Sequence, residues 1–388
     1  MYKVKLYNNI AQIGLDEFDD QYIVDANVEH EDAIVVRSAN LHEIEYGKNL
    51  KAIARAGAGV NNIDIDTCTD LGIAVFNTPG ANSNAVKELV FAGLLLASRD
   101  IYGGITWARG QAGNENLAKD MEKQKKQYAG KELMKKSLGV IGCGAIGIQV
   151  ANLALRFGMN VYGYDPFMSV DAAWELSRYV HHEKEMDGLF KECDFITLHI
   201  PMNDSTKNTI NKETIAKMKD GVKILNFARG GLVNDDDMLE ALNSGKVACY
   251  VTDFPSPKLA DHPHVIPMPH LGASTAESEE NCAVKAAQEI REYLEHGNVI
   301  NSVNFPCTSS SMDYPFRITV LHRNVPKMIA KITDCVSQDN ANIENMSSRS
   351  RGDIAYTILD LDMEASENTI EMMKKIYGVK RVQSYKNH

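Results

Sequence analysis

The sequence predicts an α/β protein: two doubly wound parallel sheets, then a small α+β unit of order βαββαβ. Three observations predict it. Short apolar strands alternate with helical patterns through the first three hundred or so residues. Residues 138–165, LGVIGCGAIGIQVANLALRFGMNVYGYD, read as strand, glycine bend, helix and strand. After the Ser/Pro-rich stretch 306–313 (PCTSSSMD) the pattern changes to four strands and two helices.

The glycine bend is the most informative stretch. Gly142 permits a tight turn out of the strand, Gly144 leaves the backbone open to a pyrophosphate, and Gly147 lets the helix approach the sheet. Ala145 and Ile146 open that helix, where unpaired N–H groups and the positive dipole end favour phosphate. Asp165 closes the next strand. Its carboxylate can bond both ribose hydroxyls and repels a 2′-phosphate, which favours NAD over NADP. Glycines cluster in ordinary turns too, but a strand before, a helix after and an acid beyond the second strand are the context that dinucleotide binding requires.

Strands are expected at 2–6, 33–36, 52–54 and 73–76. The segment 55–62, RAGAGVNN, leaves its strand directly. A Gly-rich loop with an arginine at a strand's carboxyl end suits an anion, and the plainer alternative is a turn with a surface arginine. A turn at 77–80 (NTPG) precedes helix 83–97, apolar on most sides and so expected to be buried. Residues 114–136 are highly charged and read as a solvated connecting face. Strands at 194–200, 222–227, 248–252 and 265–268 run into His199-Ile200-Pro201, Ala228-Arg229-Gly230, Asp253 and Pro269-His270. Helix 275–296 and a short extended return at 301–305 follow. In the tail, strand 317–321 leads to helix 326–337 with Asn324 as N-cap and Pro326 in the first turn. Strands 342–347 and 354–362 flank a turn at 351–353. Helix 367–376 and strand 379–385 complete the unit.

Bulk properties narrow the function. A length of 388 residues suggests two or three domains, and a net charge of −11 argues against nucleic acid. The opening MYKVKLYNNI lacks the apolar core of a secretory signal, and no apolar run approaches the ~20 residues of a membrane span. Seven scattered cysteines have no zinc spacing, so no metal and free thiols in a cytoplasmic protein are expected. Hydride exchange with an alcohol needs a proton acceptor and a cation for the substrate carboxylate. His270 and Arg229, each at a strand end, fit these needs. The bland readings are a surface histidine and a surface ion pair. His181, His182, His262 and His264 lack that strand-end setting.

The stretches VVRSAN, RAGAGVNNID, NTPGANSNAVKE, LGVIGCGAIG, LHIPMNDST, NFARGGLVNDDD, PHLGAST and NSVNFP resemble the D-2-hydroxyacid dehydrogenases, most closely the branch that oxidises 3-phosphoglycerate and ends in an ACT domain. The resemblance implies a flavodoxin-like substrate domain at 1–97 and 281–306, a Rossmann NAD domain at 98–280 and a regulatory ACT domain at 314–388. It implies Arg229 on the substrate carboxylate and His270 in proton transfer. NAD contacts would fall on Thr78, the 142–147 bend, Asp165, Phe227, Ala228, Arg229, Asp253, His270, Gly272 and Ala273. Arg55, Asn61 and Arg37 resemble substrate positions. The implied activity is NAD-dependent oxidation of 3-phosphoglycerate to 3-phosphohydroxypyruvate, the first step toward serine, by a homodimer or homotetramer. Alternatives are another D-2-hydroxy acid, or a non-catalytic NAD sensor.

The sensor alternative arises because the family's catalytic Glu falls here on Pro257 or Lys258, leaving Asp253 or Asp261 to substitute. In the tail, His322, Asn324 and Asn342 match positions that contact serine in feedback-inhibited relatives, which implies serine as an effector. Lys327 stands where the family has Gly.

Overall fold

A computed structural model describes residues 1–387. The chain forms two compact units, Met1–Asn82 with everything from Ala276 onward, and Ser83–Thr275.

In the first unit, β1 (Tyr2–Tyr7), β2 (Tyr22–Asp25), β3 (Ala33–Val36), β4 (Ala52–Arg55) and β5 (Ala74–Asn77) form a parallel sheet of order 2-1-3-4-5, one of the two common doubly wound orders. β3 is buried at every position, as a central strand covered on both faces must be. Helix Ala276–His296 packs Ala283, Ala286, Ile290 and Tyr293 onto this sheet.

In the second unit, β6 (Ser137–Ile141), β7 (Asn160–Tyr164), β8 (His181–His182), β9 (Phe195–Leu198), β10 (Val222–Asn226), β11 (Val247–Thr252) and β12 (Val265–Pro267) form a seven-stranded parallel sheet. Its order is 12-11-10-9-6-7-8, so the chain reverses direction across the sheet between β6 and β9, the crevice where open α/β sheets bind ligands. The long apolar helix Ser83–Ser98 belongs to this unit and buries Val86, Val90, Phe91 and Leu94. The charged stretch after it contains helix Leu117–Gln124, which buries no residue. No single described helix is long and apolar enough to cross a membrane, although Ser83–Ser98 and Ile101–Gly110, bent by 72°, reach that length and composition as a pair.

The tail forms β13 (Phe316–Arg323), β14 (Ile343–Arg351), β15 (Ile354–Leu361) and β16 (Val379–Lys386), antiparallel in the order 14-15-13-16. Helices Met328–Ser337 and Glu367–Lys374 cover one face through Ile332, Val336 and Met373. The sequence reading did not expect β2 or β8, and three further details differ from it. Residues 301–305 make no strand; one bridge joins Ser302 to Phe76. Side chains replace the ladder, with Val75 N donating to Asn304 Oδ1 (2.9 Å) and Asn304 Nδ2 to Ile73 O (2.9 Å). Asn324 is not the N-cap, because its amide donates to Gly352 O (3.2 Å). The helix starts after Lys327, which holds φ 69° with no side-chain cap.

The third difference is that the Ser/Pro-rich stretch is not a loose linker. Thr308 pairs with Val299, and the carbonyls of Ser310 and Ser311 accept from Arg317 Nη2 (3.2 and 2.9 Å). Nor is the tail sheet independent. Its second face lies on the first unit's core, where Leu321, Ile354, Tyr356 and Ile358 share a cluster with Phe76, Tyr293 and Phe305. Fully buried Arg317 and Asp360 pair at 2.6 Å within that seam. Arg317 Nη1 also donates to His296 O (2.9 Å), and Asn345 Nδ2 donates to Asp360 Oδ2 (3.0 Å).

Arg317→Met strands the Asp360 carboxylate in this interior and is expected to lower stability by about 3–5 kcal/mol in urea unfolding. Arg317→Met with Asp360→Leu should recover most of that loss. An unchanged urea midpoint for the single variant would contradict the seam's role.

Candidate active site

The glycine bend lies at the carboxyl end of β6. Gly142 adopts φ 93°, and its N–H donates to Tyr164 O (2.9 Å). A Cβ there would meet His199 O at 2.6 Å, so the turn requires glycine. A Cβ on Gly147 would lie 1.9 Å from Gly142 O, so helix Ala145–Arg156 meets the strand too closely for any side chain. Around Gly144 a Cβ would meet nothing within 4 Å, leaving open space above the helix start. Asp165 Oδ2 accepts from Cys143 N and Oδ1 from Phe167 N, both at 2.9 Å. Two backbone donors fix this half-buried carboxylate beside the bend, with lone pairs left for hydroxyls. These features fit a dinucleotide: a closed turn, an open backbone edge, a helix N-terminus and an oriented acid.

Across the switch point, β10, β11 and β12 end in the remaining candidates. Phe227 is buried and Ala228 half-buried. Asn226 positions the turn after β10. Its Oδ1 accepts from Ala228 N (3.2 Å), and its Nδ2 donates to Arg229 O (2.9 Å). Arg229 is exposed. Its Nη1 donates to Ala228 O (2.7 Å), and no carboxylate pairs with it among the described residues. Gly272 N donates to Asp253 Oδ2 (3.3 Å), tying the loop after β12 to the end of β11. His270 is exposed, with the Phe254 ring tilted against it at 4.5 Å between centroids. Ala273 is half-buried in the same loop.

Asp253 is only 2% exposed, and its Oδ1 has no hydrogen-bond partner. Burial raises its carboxyl above the ordinary value, while His270, the Gly272 N–H and Arg229 pull it down. The acid thus lies within the electrostatic field of both proposed catalytic cations. Asp261 is exposed, and Lys258 pairs with Asp236 at 2.6 Å. Between the two acids that the sequence offered in place of the missing Glu, only Asp253 is buried in this field.

Two features here escaped the sequence reading. Phe254 follows the noted Asp253, but nothing in sequence says that its ring meets His270. His199 is half-buried, and its Nε2 bonds Thr197 Oγ1 (3.0 Å). Burial lowers its pKa to about 3, so it is a neutral ring beneath the glycine bend. The strand-end segment LHIP was its only signal.

The other candidates belong to the first unit. Arg37 pairs with Glu279, so its charge is already matched. Arg55 Nε donates to Arg37 O (3.0 Å) at the end of β4. Asn61 is exposed, and its carbonyl meets His42 Nε2 (3.0 Å). Thr78 is buried with no partner for Oγ1. In the tail, a cavity of about 210 Å³ is lined by His322, Asn324, Lys327, Ser348, Arg349 and Ser350. Asn342 is not among its walls. It lies just before the opposite end of β14, where its amide donates to Glu344 (2.6 Å). Within one chain, therefore, the three expected effector residues do not converge.

Known families, relatives and solved structures match much of this chain. The profile of the D-isomer specific 2-hydroxyacid dehydrogenase NAD binding domain matches residues 92–272, and that of the ACT domain matches 310–386. A hydroxypyruvate reductase of Thermotoga maritima is 42% identical over 68% of this chain and 85% of its own. A D-3-phosphoglycerate dehydrogenase of Bacillus subtilis is 34% identical over 92% of this chain and 68% of its own. The NAD+-bound 3-phosphoglycerate dehydrogenase of Entamoeba histolytica superposes with a TM-score of 0.60 at 28% identity, covering 78% of this chain and 98% of that one.

Gly147→Ala sets a methyl group against the Gly142 carbonyl. It is expected to weaken NAD binding about tenfold or more in calorimetric titration. Unaltered affinity in a folded variant would show that the close approach does not matter.

Proposed function

We propose a substrate for a chain that belongs to the D-isomer-specific 2-hydroxyacid dehydrogenase family and is an NAD-dependent oxidoreductase carrying an ACT domain: it oxidises D-3-phosphoglycerate to 3-phosphohydroxypyruvate, the first step toward serine. The observation that carries this reading is the match to the Bacillus subtilis D-3-phosphoglycerate dehydrogenase over 92% of this chain. A homodimer or homotetramer, which the family resemblance implies, in the cytoplasm, which the scattered cysteines lead us to expect, completes the reading.

NAD, when bound, supplies the acceptor for the hydrogen and electron pair that leave C2 of the substrate. Its pyrophosphate would rest on the bend 142–147 and its ribose on Asp165. Arg229 offers its uncommitted donors to the substrate carboxylate, and a planar guanidinium can grip both oxygens. His270 takes the proton from the C2 hydroxyl. Asp253 stands in for the absent Glu, favouring the imidazolium that forms, and Phe254 restricts the ring's rotation. Arg55, the last residue of β4, is the cation we assign to the substrate phosphate, with Asn61 a further candidate on the loop that follows. Arg37, matched by Glu279, is left a supporting role.

A second reading, an unphosphorylated D-2-hydroxy acid, draws on the Thermotoga maritima hydroxypyruvate reductase and on the engaged Arg37. Serine is the proposed effector of the tail cavity, with His322 and Asn324 among its walls. Initial rates that stay flat as serine is added would remove that assignment.

With 3-phosphoglycerate, NADH formation should fall about 100- to 10,000-fold in His270→Ala. Arg55→Gln should raise KM for 3-phosphoglycerate and leave that for D-glycerate unchanged. Preference of the wild-type enzyme for D-glycerate would overturn the phosphorylated substrate. Asp253→Asn removes a negative charge near His270 and should lower the rate of NADH formation from 3-phosphoglycerate about tenfold or more. An unaltered rate in a folded variant would deny Asp253 its role.

A further inference from the structure

The cofactor unit holds a large cavity on the sheet edge opposite the glycine bend. Its walls include the starts of β9, β10 and β11, at Phe195, Lys223 and Ala248, and it measures about 630 Å³, within the range of small-molecule sites. All strands of this sheet are parallel, so this edge is remote from the loops that carry Arg229, Asp253 and His270.

The charges around it are unbalanced. Arg99, Lys131, Lys136 and Lys223 line the cavity, and none of the four makes an ion pair among the described residues. The three carboxylates on the same walls are already engaged. Asp194 accepts from Ser137 N (2.9 Å) and faces Lys219 (3.5 Å), Asp220 pairs with Lys246 (2.8 Å), and Asp100 caps Gly103 N (2.8 Å). The Lys223 ammonium sits 5.0 Å over the Phe195 ring. Burial lowers its pKa, Lys131 and Lys136 lower it further, and Cys249 and Asp194 oppose them. Leu96, Cys249 and Ile266 give the cavity an apolar floor. Four uncommitted cations over such a floor, in a chain of net charge −11, are an anion site rather than a general basic surface.

We propose that this cavity binds a small molecule carrying at least two negative charges, as phosphate or carboxylate, on an apolar or aromatic body. The assignment is independent of the dehydrogenase reading.

The test is calorimetric titration of the full chain with phenyl phosphate, benzene-1,3-dicarboxylate and inorganic phosphate. NAD is kept saturating so that the glycine bend is filled. Saturable binding of either aromatic anion, tighter than inorganic phosphate, is expected, and the tighter of the two names the charged group. Lys136→Gln with Lys223→Gln should weaken it about tenfold or more. If that variant misfolds by circular dichroism, the exposed pair Arg99→Gln with Lys131→Gln takes its place. Absence of saturable binding, or equal affinity in the variants, would overturn the proposal. So would variants that shift the sedimentation of the protein instead of its anion affinity, because the cavity would then be a contact between copies.

Discussion

The carbonyl of Gly142 and the bare Cα of Gly147 set the geometry of the cofactor unit. With 1.9 Å between that oxygen and the place a Cβ would occupy, the helix can sit against the strand only if residue 147 has no side chain. The helix N-terminus is thereby fixed beside Asp165, whose carboxylate is held by two backbone donors from either side of the turn. Polar recognition follows from a steric constraint. Because the helix cannot retreat, its N–H groups are already oriented for a pyrophosphate, and less ordering remains to be done on binding.

The facing half of the site is assembled by a different device. Arg229 and His270 come from separate loops, and the buried carboxylate of Asp253 links them by accepting from Gly272 N and lying in the field of both cations. An acid with an unpartnered oxygen in a desolvated position is costly for folding alone. Such groups are retained where binding or catalysis uses them. In the mechanism we propose, Asp253 is the acidic neighbour of His270.

Much of this was legible in the sequence, because the signals are local. A β-rich run ending in glycines, with an acid one strand later, is read directly from residue order. So were nearly all the strands of both large sheets and of the tail. What could not be read depends on contacts between distant residues. Asn324 looked like an N-cap because its spacing to Pro326 is right, but Gly352, brought near by the hairpin of β14 and β15, takes its amide. Arg37 resembles a substrate position, and its pairing with Glu279, far along the chain, is visible only in the fold. The stretch 306–313 reads by composition as a Ser/Pro-rich linker, but carbonyls of Ser310 and Ser311 accept from the buried Arg317. Strand β8, two residues long, was too short to carry a pattern.

The seating of the tail sheet has a mechanical meaning. One face carries its own two helices and the other is fused to the core beneath helix Ala276–His296, with Tyr356 and Tyr385 hydroxyls anchored on the carbonyls of Gly297 and Tyr293 (2.7 and 3.2 Å). The tail meets the rest of its unit along one whole packed face. An occupant of the proposed effector cavity would therefore act on that unit through packed side chains, as a keystone transmits load, and not as a lever does.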